Sequence, residues 1–313
     1  LENNIPHSHP RFATGAGQID IAAIALALLS ALMFAITFLL IRVGVGAASS
    51  FTALWLTLSV NVALLWSWSL LTKGWQFGDW REWRYFMMAG LFAPLLGRLF
   101  QFQGMARLGA SITTPLTLTH PVVSIVLAML FLDASATLPG LLGASLVLLG
   151  SLLVSAQSGG NQEVGTGEVS RLHLLFPLAA SFSYGVSVVF RKVGIDAGTD
   201  AVTASAVTTT ASWLFASLYL FGGVRSAIHC SRREFGFLML AGIFSSLGPV
   251  FLYLALQHGS LTIVAPLAAT TPLFVLLASC AFLRDTEIVN RWVVFGTLTT
   301  VLGVNIVILF GLA

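Results

Sequence analysis

Apolar residues form long unbroken runs along most of the chain, separated by short polar or Gly/Pro-containing breaks. An α-helix needs about 20 apolar residues to cross the roughly 30 Å hydrocarbon core of a bilayer, and the runs have this length. Strands of a membrane barrel would instead alternate apolar and polar residues over segments of about 10 residues. The pattern predicts ten transmembrane helices, at 19–42, 51–72, 83–107, 110–132, 137–156, 172–194, 200–221, 234–257, 260–283 and 290–312.

The least hydrophobic internal stretch divides these helices into two sets of five. Residues 157–171 are rich in Gly, Ser and Glu, a composition typical of flexible linkers. The predicted organisation is an N-terminal tail at 1–18, a first repeat at 19–156, a linker at 157–171 and a second repeat at 172–313.

The two sets of helices resemble each other in sequence. The matching positions keep offsets of 150 to 153, and they are Val43-Gly44 with Val193-Gly194, Pro115–Pro121 with Pro266–Pro272, and Gly143 and Gly150 with Gly296 and Gly303. Chance apolar similarity would not keep Pro, Thr and Gly in register, so the pattern indicates an internal duplication.

Five is an odd number of membrane crossings, so the second repeat begins on the opposite side of the membrane from the first. The predicted fold is an all-α integral membrane protein with ten transmembrane helices in two inverted five-helix repeats. Many secondary transporters build alternating access from such repeats. The alternative is that the duplication serves only to make a stable bundle.

A family resemblance follows from particular segments. LYLALQHGSLTIVAPLAATTPLFVLLASCAFLRDTE, followed by Gly296 and Gly303, resembles the most recognisable stretch of the drug/metabolite transporter superfamily, EamA type. The first half carries a weaker copy, MARLGASITTPLTLTHPVVSIVLAMLFLD. The resemblance runs from Ile19 to the C-terminus, and it implies ten helices and the export or uptake of small metabolites. The family's common Arg early in the second helix is absent from FTALWLTLSV, which leaves the substrate open.

Composition and motifs exclude other classes of protein. Charged residues make up 9% of the chain, against about 25% in soluble domains, which excludes a soluble enzyme. No basic tract indicates a nucleic acid partner, and Cys230 and Cys280 have no metal-site spacing. The chain lacks a phosphate-binding Gly loop, an HExxH motif and a nucleophile elbow. We therefore expect no enzyme activity, no cofactor and no metal.

The charges of the predicted loops bear on the orientation of the protein in the membrane. The Lys and Arg residues of the predicted loops divide six against eight between the two sides, so the positive-inside rule does not decide the orientation. The resemblance implies a multi-pass protein of the inner (plasma) membrane with both termini in the cytoplasm. The expected partners are the lipid bilayer and a small-molecule substrate, and both a monomer and a homodimer remain open.

Arg98 is the outstanding candidate functional residue, because a charge inside an apolar span is costly. It lies about nine residues from the end of its helix, roughly 14 Å deep, with Gln101 at i+3 on the same face. Either Arg98 binds a carboxylate or phosphate of the substrate, or it is structural and bonds backbone carbonyls. Arg107 and Arg191 stand nearer helix ends, where we expect interfacial anchors.

His120 is the second polar candidate, and it precedes Pro121, which can bend the helix. The imidazole could bind substrate or a coupling proton, or it could be neutral and bonded within the protein. Its repeat partner is Thr271, next to Pro272. This pairing favours polar lining at both positions and a proton role at neither.

Aromatic and proline residues complete the candidate site. Phe34 and Tyr184 occupy equivalent places and match a cavity-lining aromatic of the family, and Tyr253 lies in the eighth helix. These aromatics either cover an apolar part of the substrate or pack the core. The predicted hinges lie in helices four and nine, at Pro115, Pro121, Pro266 and Pro272.

The predicted function is secondary transport of a small metabolite by alternating access. An amino acid or another carboxylate is the expected substrate, with export the expected direction. The alternatives are a carrier of a neutral or phosphorylated metabolite and a non-transporting membrane sensor or scaffold. No predicted span has an acidic residue near its centre, which argues against proton-coupled export of lipophilic cations.

Overall fold

A computed structural model describes most of the chain. The described residues are 21–45, 49–73, 80–131, 137–156, 171–196, 201–221, 230–258, 267–282 and 289–310. The predicted N-terminal tail, nearly all of the predicted linker and Pro266 lie outside these ranges.

The described residues are almost entirely helical. The α-helices are α1 (Ile21–Gly44), α2 (Ser50–Lys73), α3 (Trp80–Gly90), α4 (Gly97–Leu108), α5 (Ala110–Thr117), α6 (His120–Phe131), α7 (Leu138–Ala156), α8 (Leu175–Asp196), α9 (Ala201–Phe221), α10 (Arg232–His258), α11 (Thr271–Phe282) and α12 (Arg291–Phe310). A π-helical turn (Leu91–Leu96) joins α3 to α4, and a 3₁₀ turn (Arg171–Leu174) precedes α8.

These helices form ten segments, because α3 with α4 and α5 with α6 each make one segment with a break. Within the described residues, seven helical stretches are long and apolar enough to cross a membrane, and Leu138–Val154 and Thr271–Phe282 are shorter apolar helices. The remaining segment is the 21-residue helix α9. The predicted all-α fold with ten transmembrane helices is confirmed.

The third segment, predicted as one helix over 83–107, is broken at its centre. Ala93 is extended, with φ −151° and ψ 126°, because the residue before a proline is driven out of the helical region by Pro94. The equivalent segment α10 continues through Pro249 without a break. The two repeats therefore differ at this level of the membrane.

Counterpart helices of the two repeats pack against each other in opposite directions. In α2 and α9, Trp55 donates to Ser217 at 3.0 Å and Trp66 donates to Thr210 at 2.8 Å, so residue numbers rise on one helix as they fall on the other. A twofold axis in the membrane plane makes such counterparts antiparallel, whereas an axis along the membrane normal would make them parallel. The repeats are therefore inverted.

The fifth and tenth segments make the tightest counterpart contact. A Cβ placed on Gly143 would lie 2.9 Å from the carbonyl oxygen of Gly303, and one placed on Gly150 would lie 2.6 Å from that of Gly296. The contact is reciprocal, as a twofold requires. Small residues allow helices to approach this closely in lipid. The outward faces of α7 and α12 carry exposed apolar side chains such as Leu141, Leu152 and Phe295.

Candidate substrate-binding cavity

A cavity of about 460 Å³ lies where the two repeats meet. Both repeats contribute to its wall, with the first supplying α1, α2 and α4 to α6 and the second supplying α8 to α12. Of the residues predicted to bind substrate, six line this cavity, namely Phe34, Arg98, Gln101, His120, Tyr184 and Thr271. The side chain of Tyr253, in α10, lies outside the described part of the chain.

The predicted hinge prolines divide between the cavity and its surroundings. Pro121 and Pro272 line the cavity, while Pro115 is buried within α5, which continues through it as a helix. The fourth segment breaks instead at Leu118 and Thr119, one turn before Pro121. Pro266 lies outside the described residues.

Arg98 enters the cavity from the first turn of α4, just after the break in the third segment. Its partner is Asn61, from the middle of α2. With the Asn61 amide oriented to satisfy its neighbours, the amide oxygen accepts from Arg98 Nη1 at 2.8 Å and from Nη2 at 3.2 Å. A guanidinium has five N–H donors, so the bond to Asn61 uses two of them.

Asn61 is held by partners on α2 and α10, which include the hydroxyls of Ser245 and Ser246 at 2.7 and 2.8 Å from its nitrogen. In the same orientation its nitrogen lies 2.8 Å from the carbonyl oxygen of Gly242 on α10 and 3.0 Å from that of Thr57 on α2. These bonds link α2 to α10. The side chain is 1% exposed, and it presents its oxygen to Arg98 from a fixed position. Asn61 was not among the residues predicted from the sequence, although an Asn in the middle of an apolar span was a visible signal.

The aromatic residues occupy symmetric positions. A Cβ on Gly97 would lie 3.2 Å from the Tyr184 ring, and one on Gly248 would lie 2.8 Å from the Phe34 ring, so each ring packs on a glycine of the other repeat. Tyr184 also donates to the side-chain oxygen of Gln101 at 2.9 Å, and its ring lies 5.9 Å from that of His120. Tyr184 thus contacts both Gln101 and His120 in the cavity wall.

His120 and Thr271 make equivalent bonds to backbone. The His120 Nδ1 lies 3.2 Å from the carbonyl oxygen of Thr117, and the Thr271 hydroxyl donates to that of Ala268 at 3.0 Å. A carbonyl only accepts, so His120 Nδ1 carries a proton in this contact. Each carbonyl is the one that the following proline deprives of its helical N–H.

Arg191 also lines the cavity, whereas the sequence suggested an interfacial anchor. The helix α8 continues five residues beyond it to Asp196, so Arg191 does not stand at the end of its helix. Its Nη2 donates to the carbonyl oxygen of Ala93 at 3.0 Å, at the break in the third segment. Arg107, by contrast, is exposed, with its guanidinium 4.3 Å from the centre of the Phe176 ring.

The charge of the cavity is positive. Arg98 and Arg191 both line it, and among the lining residues that the structure describes there is no Asp or Glu. Hydroxyl and amide groups of Thr37, Asn61, Gln101 and Thr209 share the wall with apolar side chains. An anion is the ligand whose charge and hydrogen-bond acceptors such a wall complements.

Comparison with known proteins agrees with this architecture. The sequence model of the EamA-like transporter family matches residues 21–156 and 171–309. An uncharacterized transporter of Archaeoglobus fulgidus is 25% identical over 200 residues, which are 64% of this chain and 67% of the relative. A protein of known crystal structure shares the fold with a TM-score of 0.61 at 15% identity, over 91% of this chain and 97% of the other. This chain is a multi-pass membrane protein that belongs to the EamA-like transporter family.

Proposed function

We propose that this protein is a secondary transporter that moves a small anionic metabolite, an amino acid or another carboxylate, by alternating access. The observation that carries the proposal is the cavity between the inverted repeats, which two arginines line without a described carboxylate. Arg98 binds the anionic group, and Gln101, His120 and Thr271 offer further hydrogen bonds. Phe34 and Tyr184 cover the apolar part of the substrate.

The volume of the cavity supports a small substrate. Ligand pockets of about 300–1,000 Å³ enclose molecules up to the size of drugs, and a cavity of about 460 Å³ lies near the lower end of this range. An amino acid fits with room for water. The apolar lining, which includes Phe38, Phe102 and Leu252, favours a substrate with an apolar side chain.

The breaks in the fourth and ninth segments support alternating access. They lie at equivalent places, at Leu118 and Thr119 in one repeat and at Ala269 and Thr270 in the other. The following prolines, Pro121 and Pro272, line the cavity. Bending at each break opens one side of the cavity in turn. We place the protein in the inner (plasma) membrane with both termini cytoplasmic, and we propose export as the direction of transport.

Counterflow in proteoliposomes tests this function. Vesicles loaded with a pooled mixture of amino acids and organic acids are exchanged against labelled members of the pool, and the contents are read by mass spectrometry. Selective exchange of one carboxylate class by the wild type is expected, with loss of this exchange in Arg98→Ala. Arg98→Lys is expected to retain part of it, because Lys keeps the charge but not the planar fork of donors.

Arg107→Ala is the matched control, because it removes an arginine of the same segment that stands on the exposed face. It is expected to leave exchange unchanged. Exchange of sugar phosphates in preference to carboxylates would contradict the substrate class and retain the carrier. Normal carboxylate exchange by both Arg98 variants would contradict the role of Arg98.

A further inference from the structure

The Asn61 position has a counterpart in the second repeat that makes one of its two kinds of contact, the bond between helices. Ser212 stands 151 residues later, on α9. Its hydroxyl donates to the carbonyl oxygen of Gly90 at 2.7 Å, as the Asn61 nitrogen lies 2.8 Å from that of Gly242. Gly90 and Gly242 are themselves 152 residues apart, so the two bonds join equivalent helices of the two repeats.

The difference between the two residues is the second functional group of the amide. Serine has one oxygen on a short side chain, whereas asparagine has a nitrogen and an oxygen that point in different directions. The Asn61 nitrogen makes the interhelix bond and its oxygen contacts the Arg98 guanidinium at 2.8 and 3.2 Å. The second repeat has no charge near Gly248-Pro249, and there the serine suffices.

We infer that Asn61 is the positioning residue of the anion site: its amide fixes the Arg98 guanidinium so that the remaining donors face the substrate. This inference rests on the proposed function. An arginine side chain has many rotamers. Holding it in one rotamer before the substrate arrives removes an entropic cost of substrate binding. A neutral acceptor does this without cancelling the positive charge, which a carboxylate at the same place would do.

Asn61→Ser separates the two contacts, because serine makes the interhelix bond at the equivalent place in the other repeat. The variant is expected to fold like the wild type and to raise the KM for carboxylate counterflow from the same pool about tenfold, with little change in kcat. A purely structural Asn61 would leave KM unchanged in this variant.

Asn61→Asp places a carboxylate against the guanidinium. Carboxylate exchange is expected to be lost, because the internal carboxylate cancels the positive charge that the substrate needs. Thermal stability is expected to fall as in Ser212→Ala, because the oxygen that replaces the amide nitrogen cannot donate to the carbonyl oxygen of Gly242. Ser212→Ala is the control for the interhelix bond alone. It is expected to lower thermal stability and to leave KM unchanged.

A double-mutant cycle in detergent tests the pairing without reference to transport. Thermal unfolding of Asn61→Ser, Arg98→Met and the double variant is expected to be non-additive, as for residues in direct contact. Additive effects would overturn the pairing. An unchanged KM in Asn61→Ser, in a wild type that exchanges carboxylates, would overturn the positioning role. A wild type that exchanges no carboxylate contradicts the proposed function instead, and the cycle then decides the pairing by itself.

Discussion

Two unlike residues, His120 and Thr271, perform the same local task. Each bonds the carbonyl oxygen three positions earlier, at 3.2 and 3.0 Å, where a proline has removed the helical donor. The bond fixes the side chain to the backbone at the break, and both residues line the cavity. This shared task explains why a histidine in one repeat corresponds to a threonine in the other.

Exchange of residue types between the repeats tests this interpretation. His120→Thr is expected to keep the bond to Thr117 and a thermal stability close to that of the wild type. His120→Ala is expected to lower the free energy of unfolding by about 1–2 kcal/mol, because the buried carbonyl loses its partner. Thermal unfolding in detergent measures both. Equal stability of the two variants would contradict the capping role.

The sequence predicted the residues of the cavity better than it predicted their contacts. Arg98, His120 and Thr271 were identifiable because a charge, or a polar residue beside a proline, is rare within an apolar span. Asn61 and Arg191 were not selected, since their roles depend on partners from distant segments. Arg191 reaches the Ala93 carbonyl from 98 positions away, and no local pattern reports such a bond.

Among the elements, the broken third segment depends on the second repeat for its hydrogen bonds. The Ser187 hydroxyl of α8 lies 3.0 Å from the Ala89 carbonyl oxygen and 3.1 Å from that of Ala93. Arg191 donates to Ala93 as well. Backbone groups inside a membrane protein need internal partners, and here side chains of the neighbouring repeat supply them.

Ser187→Ala removes the hydroxyl at the break. It is expected to lower the free energy of unfolding by about 1–3 kcal/mol, because buried carbonyls lose a donor. Ser67→Ala serves as the control, since Ser67 is on the exposed side of α2 and donates only within its own helix turn, to Ala63 at 2.7 Å. Thermal unfolding of the purified variants compares the two, and equal effects would contradict the proposed role of Ser187.

The α7 and α12 helices depend on glycine for their close contact. A Cβ on Gly150 would lie 2.5 Å from the Thr300 backbone nitrogen. A backbone atom cannot move aside as a flexible side chain can. Gly150→Ala is expected to lower the free energy of unfolding by about 1–3 kcal/mol through overpacking.

Gly236→Ala is the matched control for this substitution. A Cβ on Gly236, in the second turn of α10, would meet nothing within 4 Å. The substitution is expected to be neutral or to stabilise by up to about 1 kcal/mol, because alanine favours the helix. If Gly150→Ala and Gly236→Ala had the same stability, the close contact of α7 and α12 would not require glycine at position 150.

Over the whole molecule, the inverted duplication was predictable because it leaves Gly, Pro and Thr in register along the chain. The asymmetry between the repeats was only partly predictable. The sequence indicated that Arg98 lacks a charged counterpart, but not that Pro94 breaks one segment at Ala93 whereas Pro249, elsewhere in the equivalent segment, leaves α10 continuous. The outcome at such a proline depends on neighbouring side chains, which the local sequence does not contain.

Alternating access requires that one cavity between the repeats opens in turn to each side of the membrane. The most direct measurement is labelling of a single cysteine, Ala269→Cys, in a chain whose Cys230 and Cys280 are replaced by serine. Ala269 lines the cavity at the break of the ninth segment, and Leu141→Cys on the exposed face of α7 is the lipid-facing control. A membrane-impermeant thiol reagent is applied to right-side-out and to inside-out vesicles. We predict labelling of Ala269→Cys from both sides and none of Leu141→Cys, and labelling of Ala269→Cys from one side only would contradict alternating access.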